Sequence, residues 1–416
     1  MTRPGAGGRK KVTAENLARL GAERLAAILV AVAATRPDLK RRLRMELAAD
    51  EGPVPLAAEI DKRLAAFETS RGEVTWRQAP AFLRDLDAMR LLIAERMAAH
   101  DAAAAIERLW RFMATAGQVA RRYRERGGEL DAIFERAAGD LGRLLGGQAS
   151  GPAAYDLVEA ITRNPSGWKH WLPSLLAVAP VALAQRALRD IAERRGAVPG
   201  WITLIRQLAD AAGDPDAYHA TWTPDALQTP PVAAQVANRY LAAGRTEQAG
   251  DALRRAAPGG RGQASARPDF EWETAWIAYL DQSGRPEDAQ EVRWASFERT
   301  LSVERAKAFI GQLDDFDDVE AETRAFALAA NFRDFQVGLR FLMEWPALAE
   351  AGRMIEQRSQ EIMVDADAAE LWAAKLRRRQ PKAAHLLLRK AAAAAFSRRD
   401  FKTCDRLSAE AESIAT

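Results

Sequence analysis

Apolar residues recur at steps of three and four along most of the chain, the spacing that places them on one face of an α-helix. Two stripes show this most clearly, one at 82–97 and one at 130–145. We find no run in which apolar and polar residues alternate, as they do in half-buried strands. Ala, Leu, Arg and Glu, which favour helices, dominate the composition. The pattern therefore predicts an all-α protein.

The first helices are predicted from boundary signals as well as from their apolar stripe. Thr13 fits a helix N-cap, and Pro37 fits the first turn of a following helix. The stripe between them lies along one side of the helix, and we expect a neighbouring element to cover it. Its members are Leu17, Leu20, Leu25, Ile28, Leu29 and Val32.

The chain is predicted to divide at the Gly-rich segment GGQASGP, residues 146–152. Residues 1–11, which are basic and rich in Gly, are predicted to be a disordered tail. We expect residues 12–146 to form an N-terminal helical domain and residues 153–416 to form a second one. The Gly- and Arg-rich stretch 258–268 is predicted to be an exposed loop.

The second domain contains a repeated motif. Residues 244–249 read GRTEQA and residues 284–289 read GRPEDA, and a large residue, Tyr240 or Leu280, stands four positions before each Gly. This is the arrangement of a helical hairpin, in which Gly makes the turn and Ala lets the second helix approach closely. Three later segments have a similar sequence pattern: RDFQVG (333–338), RQPKAA (379–384) and RDFKTC (399–404).

These residues resemble the tetratricopeptide repeat, and the resemblance implies an α-solenoid of helical hairpins. The first copy matches well, whereas the second has Arg293 where a large apolar residue is expected. In this register Cys404 takes the position of a small buried residue. We therefore expect Cys404 to be a structural thiol and not a nucleophile.

Three further segments are VTAENLARLGAERLAAILVAVAATRPDLKRRLRMELA (12–48), LWRFMATA (109–116) and DLGRL (140–144). Together they resemble a family of uncharacterised bacterial all-helical proteins, and the resemblance spans most of the chain. The segment YRERGGELD (123–131) departs from the acidic, Ser-rich turn that the family has there. The resemblance implies a helical-repeat protein and no particular activity.

The positive charge of the chain lies in its N-terminal tail. The 416 residues include 60 basic and 57 acidic side chains, a net charge of +3. Residues 1–11 contain four cations and no acid, so the rest of the chain has one acid in excess. Four cations would contact about four phosphates, a weak and salt-sensitive attachment. The candidate phosphate contacts are Arg9, Lys10 and Lys11 of the tail and Lys40, Arg41, Arg42 and Arg44 of KRRLR.

A cytoplasmic protein without a membrane partner is expected. The longest apolar run, 25–34, is about half as long as a bilayer-spanning helix. Acidic residues interrupt the region that a signal peptide would keep apolar. A single Cys excludes a disulfide framework within the chain and a Cys-rich metal site.

The sequence contains no recognisable catalytic or metal-binding motif. The four histidines, His100, His170, His219 and His385, are isolated from one another, and phosphate-binding glycine loops are missing. We therefore predict no cofactor, no metal and no enzymatic activity. The acidic run DDFDDVEAE (314–322) is interpreted as a helix start, which its charge favours.

The cluster WKHW (168–171) permits two interpretations. It could line a pocket with aromatic rings, or it could belong to a helix that packs both Trp rings inward and keeps Lys169 and His170 at its edge. The second interpretation is favoured, because large aromatic side chains fill the gaps between packed helices.

These observations predict a non-catalytic interaction or scaffold protein. A peptide or helix of a protein partner would bind the concave face of the repeats, where Asn238 and Arg239 are candidate contacts. Some tetratricopeptide domains hold the C-terminal carboxylate of a partner with an Asn and several Lys residues. Those Lys residues are missing at the matching positions of this chain, Ala234 among them. A nucleic-acid-associated protein using the basic tail and the Lys/Arg clusters is the alternative, and an enzyme with a site between repeats is least favoured. The oligomeric state is left open.

Overall fold

The computed structural model describes residues 12–123, 128–146, 151–193, 200–257 and 269–414. Within these residues the regular structure is helical, and β-type pairing is limited to one isolated bridge between Val74 and Tyr123. The prediction of an all-α protein is thereby confirmed. The basic tail at 1–11, the middle of the predicted linker at 147–150 and the predicted loop at 258–268 lie outside the described residues.

The chain divides into two compact units, Met1–Trp222 and Thr223–Thr416. The helices of the first unit are α1 (Ala14–Ala18), α2 (Ala22–Thr35), α3 (Pro37–Glu51), α4 (Pro53–Thr69), α5 (Ala79–Leu91), a π-helical stretch (Leu92–Met97), α6 (Ala98–His100), α7 (Ala102–Ala114), α8 (Ala116–Arg122), α9 (Glu129–Leu145), α10 (Gly151–Arg163), α11 (Pro165–Leu176), α12 (Val181–Glu193), α13 (Trp201–Ala212) and α14 (Pro215–His219).

The second unit continues the numbering. Its helices are a 3₁₀ turn (Ala226–Gln228), α15 (Pro230–Ala242), α16 (Thr246–Arg255), α17 (Phe270–Gln282), α18 (Pro286–Thr300), α19 (Val303–Ile310), α20 (Asp317–Ala330), α21 (Phe335–Glu344), α22 (Leu348–Gln357), a 3₁₀ turn (Ser359–Glu361), α23 (Ala366–Leu376), α24 (Pro381–Ser397) and α25 (Phe401–Glu412).

Within each unit, a helix packs on the next helix and in several cases on the next but one. In the first unit α9 packs on α11 and α11 on α13, and in the second unit α15 packs on both α16 and α17. Helical hairpins therefore recur in both units. Whether they form a solenoid of tetratricopeptide type stays a prediction.

The boundary between the two compact units falls between Trp222 and Thr223, and the domain boundary predicted at 146–152 stays a prediction. Helices α9 and α11, on either side of that segment, are among the most closely packed pairs of the first unit. Gly142 of α9 explains this packing, because a Cβ there would collide with the carbonyl oxygen of Leu175 and approach Val178 to 3.0 Å. Gly142 belongs to the DLGRL segment, so this part of the family resemblance has a structural reason.

Helix starts follow the signals in the sequence. The Thr13 hydroxyl accepts a hydrogen bond from the N–H of Asn16 and caps α1, and Pro37 occupies the first turn of α3. The acidic run interpreted as a helix start opens α20, where Asp317 and Glu320 lie in the first turn. Their negative charge faces the positive end of the helix dipole.

The two copies of the repeated motif have the same backbone geometry. Gly244 has φ 72° and Gly284 has φ 74°. The residue after each Gly donates its N–H to the carbonyl oxygen five residues earlier, at 2.8 Å from Arg245 to Tyr240 and at 2.9 Å from Arg285 to Leu280. This is the bond that closes a helix end with a left-handed residue. The prediction that Gly makes the turn is confirmed.

The same turn recurs without Gly at the start of RDFKTC. Arg399 adopts φ 62°, and the N–H of Asp400 donates to the carbonyl of Ala395 at 3.0 Å. Asp400 thus corresponds to Arg245, and Cys404 takes the position that Ala249 has in the first copy. The thiol of Cys404 is partly buried and packs against the core of the second unit.

Aromatic rings occupy the centre of the first unit. Phe112, Phe134, Trp171, Trp168 and Trp110 follow one another with ring centroids 5.2, 5.3, 5.9 and 6.0 Å apart. They join α7, α9 and α11, and such pairs are worth about 0.5–1.5 kcal/mol each beyond the area they bury. Both Trp rings of the WKHW cluster pack inward, as the favoured interpretation predicted, while His170 is exposed.

Arg293 breaks the apolar pattern of the repeat, and the structure shows how the second unit accommodates it. The side chain is buried in α18, pairs with Asp281 of α17 and donates to Oε1 of Gln290 at 3.0 Å. The Asp281 side chain remains 39% exposed. A buried guanidinium is tolerated here because one face of its partner is hydrated.

Close packing at Gly142 predicts a difference between two glycines of the same helix. Gly142→Ala is expected to lower the free energy of unfolding by about 2 kcal/mol, because the added methyl has no space. Gly139→Ala is the matched control, since its Cβ would meet only Ser174 O at 3.7 Å. In a helix interior that change is expected to stabilise by about 0.5–1 kcal/mol. Urea denaturation followed by circular dichroism measures both, and equal effects would contradict the packing argument.

The burial of Arg293 predicts that the two members of the Arg293–Asp281 pair differ in how much their loss destabilises the protein. Asp281→Ala is expected to destabilise by about 2 kcal/mol, because it leaves a buried guanidinium without its carboxylate. Arg293→Leu is expected to cost less than about 1 kcal/mol, because the remaining carboxylate can be hydrated. The double variant should lie close to Arg293→Leu. Denaturant midpoints measure the order, and Arg293→Leu as the more damaging change would contradict this account.

Candidate functional site

The apolar stripe of the N-terminal helices is left largely uncovered. Of the residues predicted to be covered, Leu17, Leu20, Ile28, Leu29 and Val32 keep 36–45% of their surface exposed. Helix α2 makes its principal contacts with α1 and α3. The expectation that a neighbouring element buries this face is therefore wrong for these five residues within the described part of the chain. An exposed cluster of large apolar side chains marks an interaction surface.

A groove of about 1000 Å³ lies between α2 and α3. The α2 wall consists of small and medium apolar residues at steps of three and four, namely Ala26, Leu29, Val30, Ala33 and Ala34. Leu43 and Leu47 contribute apolar surface from α3. Val30 is 69% exposed and Leu47 is 67% exposed, so both present most of their surface to a potential partner.

The corner between the two helices is a single residue. Proline disfavours helical geometry in the residue before it, and Arg36, which precedes Pro37, has φ −125° and ψ 93°. Helix α2 therefore ends at Thr35 and α3 begins immediately after the corner. The chain reverses without a loop that could fold over the groove.

Charged residues border the apolar walls. Lys40 and Arg44 line the groove one helical turn apart, and neither makes an ion pair within the described residues. Arg96, from the π-helical stretch, closes one part of the groove and lies 3.4 Å from Glu46. Asp50 lies towards the C-terminal end of α3 and carries the opposite charge. Along α3, the charged lining therefore runs from the cations Lys40 and Arg44 to the acid Asp50, with the apolar Leu47 between Arg44 and Asp50.

The KRRLR cluster does not act as one patch. Lys40 and Arg44 line the groove, whereas Arg41 is directed to Asp85, with Nε 3.6 Å from the carboxylate. Arg42 is exposed and lines no part of the groove. The other candidate phosphate contacts, Arg9, Lys10 and Lys11, lie outside the described residues.

The two candidates on the repeat motif differ in accessibility. Asn238 is exposed on α15, whereas Arg239 is partly buried and donates from Nη1 to the carbonyl oxygen of Gln235 at 2.7 Å. A partner could therefore reach the Asn238 side chain, whereas the Arg239 side chain already contacts its own helix. Their role in binding stays a prediction.

The histidines remain dispersed in the structure. His100 lies at one end of the α2–α3 groove, and His385 bonds through Nδ1 to the carbonyl oxygen of Ala411 at 3.0 Å. Among the described residues, no three side chains of His, Cys, Asp or Glu converge as metal ligands would.

The α2–α3 groove was not predicted from the sequence. The sequence analysis named some of its lining residues, Leu29 in the apolar stripe and Lys40 and Arg44 in KRRLR, but not as parts of one site. The apolar stripe and KRRLR were both noted, but a helical stripe normally indicates a covered face. One further signal was available. Residues 25–34 are apolar on every side, and a helix of that kind needs more cover than a single neighbour provides.

Comparison with known proteins agrees with the resemblance seen in the sequence. A model of a family of unknown function, DUF6880, matches the chain twice, over residues 8–199 and 184–405. The chain belongs to this family. Membership assigns no activity, ligand or partner to a DUF6880 protein, because the function of the family is unknown. Neither the curated proteins nor the solved structures contain a match to the chain.

No helix in the described part of this DUF6880 chain combines the length and the apolar character that crossing a membrane requires.

Proposed function

We propose that this protein is a non-catalytic adaptor of the cytoplasm that binds an amphipathic helix of a partner protein in the groove between α2 and α3. The observation that supports the proposal is the exposed apolar groove of about 1000 Å³. Fully covering a Val or Leu side chain is worth about 1.5–3 kcal/mol. Leu29, Val30 and Leu47 would supply much of the affinity.

The dimensions of the groove suit a short helix. Groove residues span 26–34 on α2 and 40–50 on α3. At 1.5 Å per residue these segments are roughly 12 and 15 Å long, which corresponds to about two to three turns of a partner helix. An amphipathic helix in such a groove inserts apolar residues at steps of three and four. The small side chains Ala26, Ala33 and Ala34 leave space for them.

The charges at the border specify the partner further. Lys40 and Arg44, one turn apart on α3, would meet two carboxylates one turn apart on the partner helix. Asp50 at the other end would meet a basic residue and so set the direction of the helix. The partner is therefore an acidic amphipathic helix.

A phosphate backbone suits the groove less well than such a helix. Lys40 and Arg44, which make no ion pair within the described residues, are separated by Leu43 and followed by Leu47. Nucleic-acid interfaces are much more polar and positively charged than this surface. The nucleic-acid role predicted as the alternative therefore ranks second.

The proposal predicts selective binding of a designed peptide. The probe is a fluorescein-labelled helix of about three turns with Leu at steps of three and four and two Glu one turn apart. Val30→Asp and Leu47→Asp are each expected to weaken binding at least about tenfold, the equivalent of about 1.4 kcal/mol. Val54→Asp is the matched control, because Val54 is 78% exposed and lines no part of the groove. Fluorescence anisotropy with the full chain measures all three.

A charge-reversal variant distinguishes specific binding of an acidic helix from nonspecific hydrophobic binding. The double variant Lys40→Glu/Arg44→Glu is expected to bind the Glu peptide less tightly and a Lys peptide of the same stripe more tightly. Equal binding of a scrambled peptide without a stripe would overturn the proposal. So would a change in oligomer mass with Val30→Asp, because a second copy would then cover the groove. Binding of DNA or RNA near physiological salt that is lost with residues 1–11 would favour the alternative.

A further inference from the structure

A second cavity, distinct from the groove, lies among α7, α10 and the start of α11. It has a volume of about 570 Å³, which is within the range of small-molecule sites. Residues at steps of three and four face it from α7, and a second such set faces it from α10. All of its lining belongs to the first compact unit.

Two indole rings form the apolar part of this cavity. Trp168 is 2% exposed, and its ring centroid lies 6.0 Å from that of the partly exposed Trp110 at an interplanar angle of 42°. The Nε1–H group of Trp110 is buried and makes no hydrogen bond within the described residues. Both rings belong to the aromatic ladder of α7, α9 and α11. Their positions are therefore set by packing before any molecule enters the cavity.

Carboxylates surround the open side. Glu107 of α7 and Asp156 and Glu159 of α10 line the cavity, and the single basic residue among its lining side chains is Arg163. Arg163 lies 3.7 Å from Glu159, and its side chain is 72% exposed, so this pair is long and well hydrated. Among the described side chains of the lining, acidic residues therefore exceed basic residues by two.

The charge on Asp156 is poorly compensated. Partial burial raises the pKa of Asp156, and the nearby Arg163 opposes that rise only in part. A carboxylate in this position gains stability from an added cation. Aromatic faces attract cations as well, because the ring quadrupole places negative charge above the ring.

We propose that this cavity binds an organic cation of the alkylammonium class. The indole rings of Trp110 and Trp168 contact its methyl or methylene groups, and the carboxylates of Glu107 and Asp156 balance its charge. This combination of aromatic surface and acidic border is the general solution for recognising ammonium groups that carry alkyl substituents. The cation comes either from a free small molecule or from a lysine or methylated lysine side chain of a peptide.

Choline and its neutral isostere dimethylbutanol test the proposal on the full chain by isothermal titration calorimetry. Choline is expected to bind at least about tenfold more tightly than the isostere, because only the cation interacts with rings and carboxylates. Trp110→Leu should weaken choline binding about tenfold and Trp110→Phe about threefold, following the strength of the aromatic face. The double variant Glu107→Gln/Asp156→Asn replaces exposed side chains and keeps the fold testable. It should weaken choline binding about fivefold.

One control variant and a set of three peptides complete the experiment. Asp131→Asn changes an exposed carboxylate of α9 that does not line the cavity, and it should leave choline binding unchanged.

Peptides with a trimethyllysine, a lysine or a norleucine at one position distinguish the source of the cation. Tighter binding of the trimethyllysine peptide than of choline identifies a side chain, and the reverse order identifies a small molecule. Both orders support the alkylammonium class.

Three outcomes would overturn the inference. The first is equal affinity for choline and dimethylbutanol, which would make the cavity a neutral apolar site. The second is the absence of binding of choline and of both lysine peptides at millimolar concentration. The third is an unchanged affinity for choline in Glu107→Gln/Asp156→Asn.

Discussion

The packing of this chain depends on how its helices end. A residue with left-handed backbone geometry, such as Gly244 or Gly284, allows the next N–H group to bond to the carbonyl five residues earlier. The chain then reverses at once, and a small residue such as Ala249 or Ala289 comes to lie fully buried against the preceding helix. The close packing within these two hairpins is a consequence of the turn.

The cores of both units fill the space between helices with aromatic rings, and both bury charged side chains. In the first unit a ladder of aromatic rings joins α7, α9 and α11, and Gly142 brings the backbones of α9 and α11 together. In the second unit several charged side chains are buried. Glu273 accepts hydrogen bonds from Ser296 and Arg299, and Arg293 pairs with Asp281. Buried charges of this kind depend on complete pairing, so they add little net stability but penalise any other arrangement of the helices.

Against these well-filled interiors, two surfaces of the first unit are left open. The groove between α2 and α3 exposes apolar side chains that a core would cover, and the cavity beside Trp110 and Trp168 combines aromatic rings with the carboxylates of Glu107 and Asp156. Both surfaces are set by rigid helices and neither requires a flexible loop. They suit binding, because apolar area and complementary charge give affinity without a reacting group.

Local interactions made much of the fold readable from the sequence. Helix periodicity, the cap at Thr13, the corner at Pro37 and the turn at Gly244 each involve residues close in the chain, so residue type alone predicts them. Tertiary structure decided which apolar stripes are covered. An apolar stripe has the same sequence pattern whether it is buried, as on α9, or stays largely exposed within the described residues, as on α2. It also decided that Arg293 is paired and that Glu107, Asp156 and Trp110 meet at one cavity, because contacts between distant segments depend on how helices pack and not on spacing along the chain.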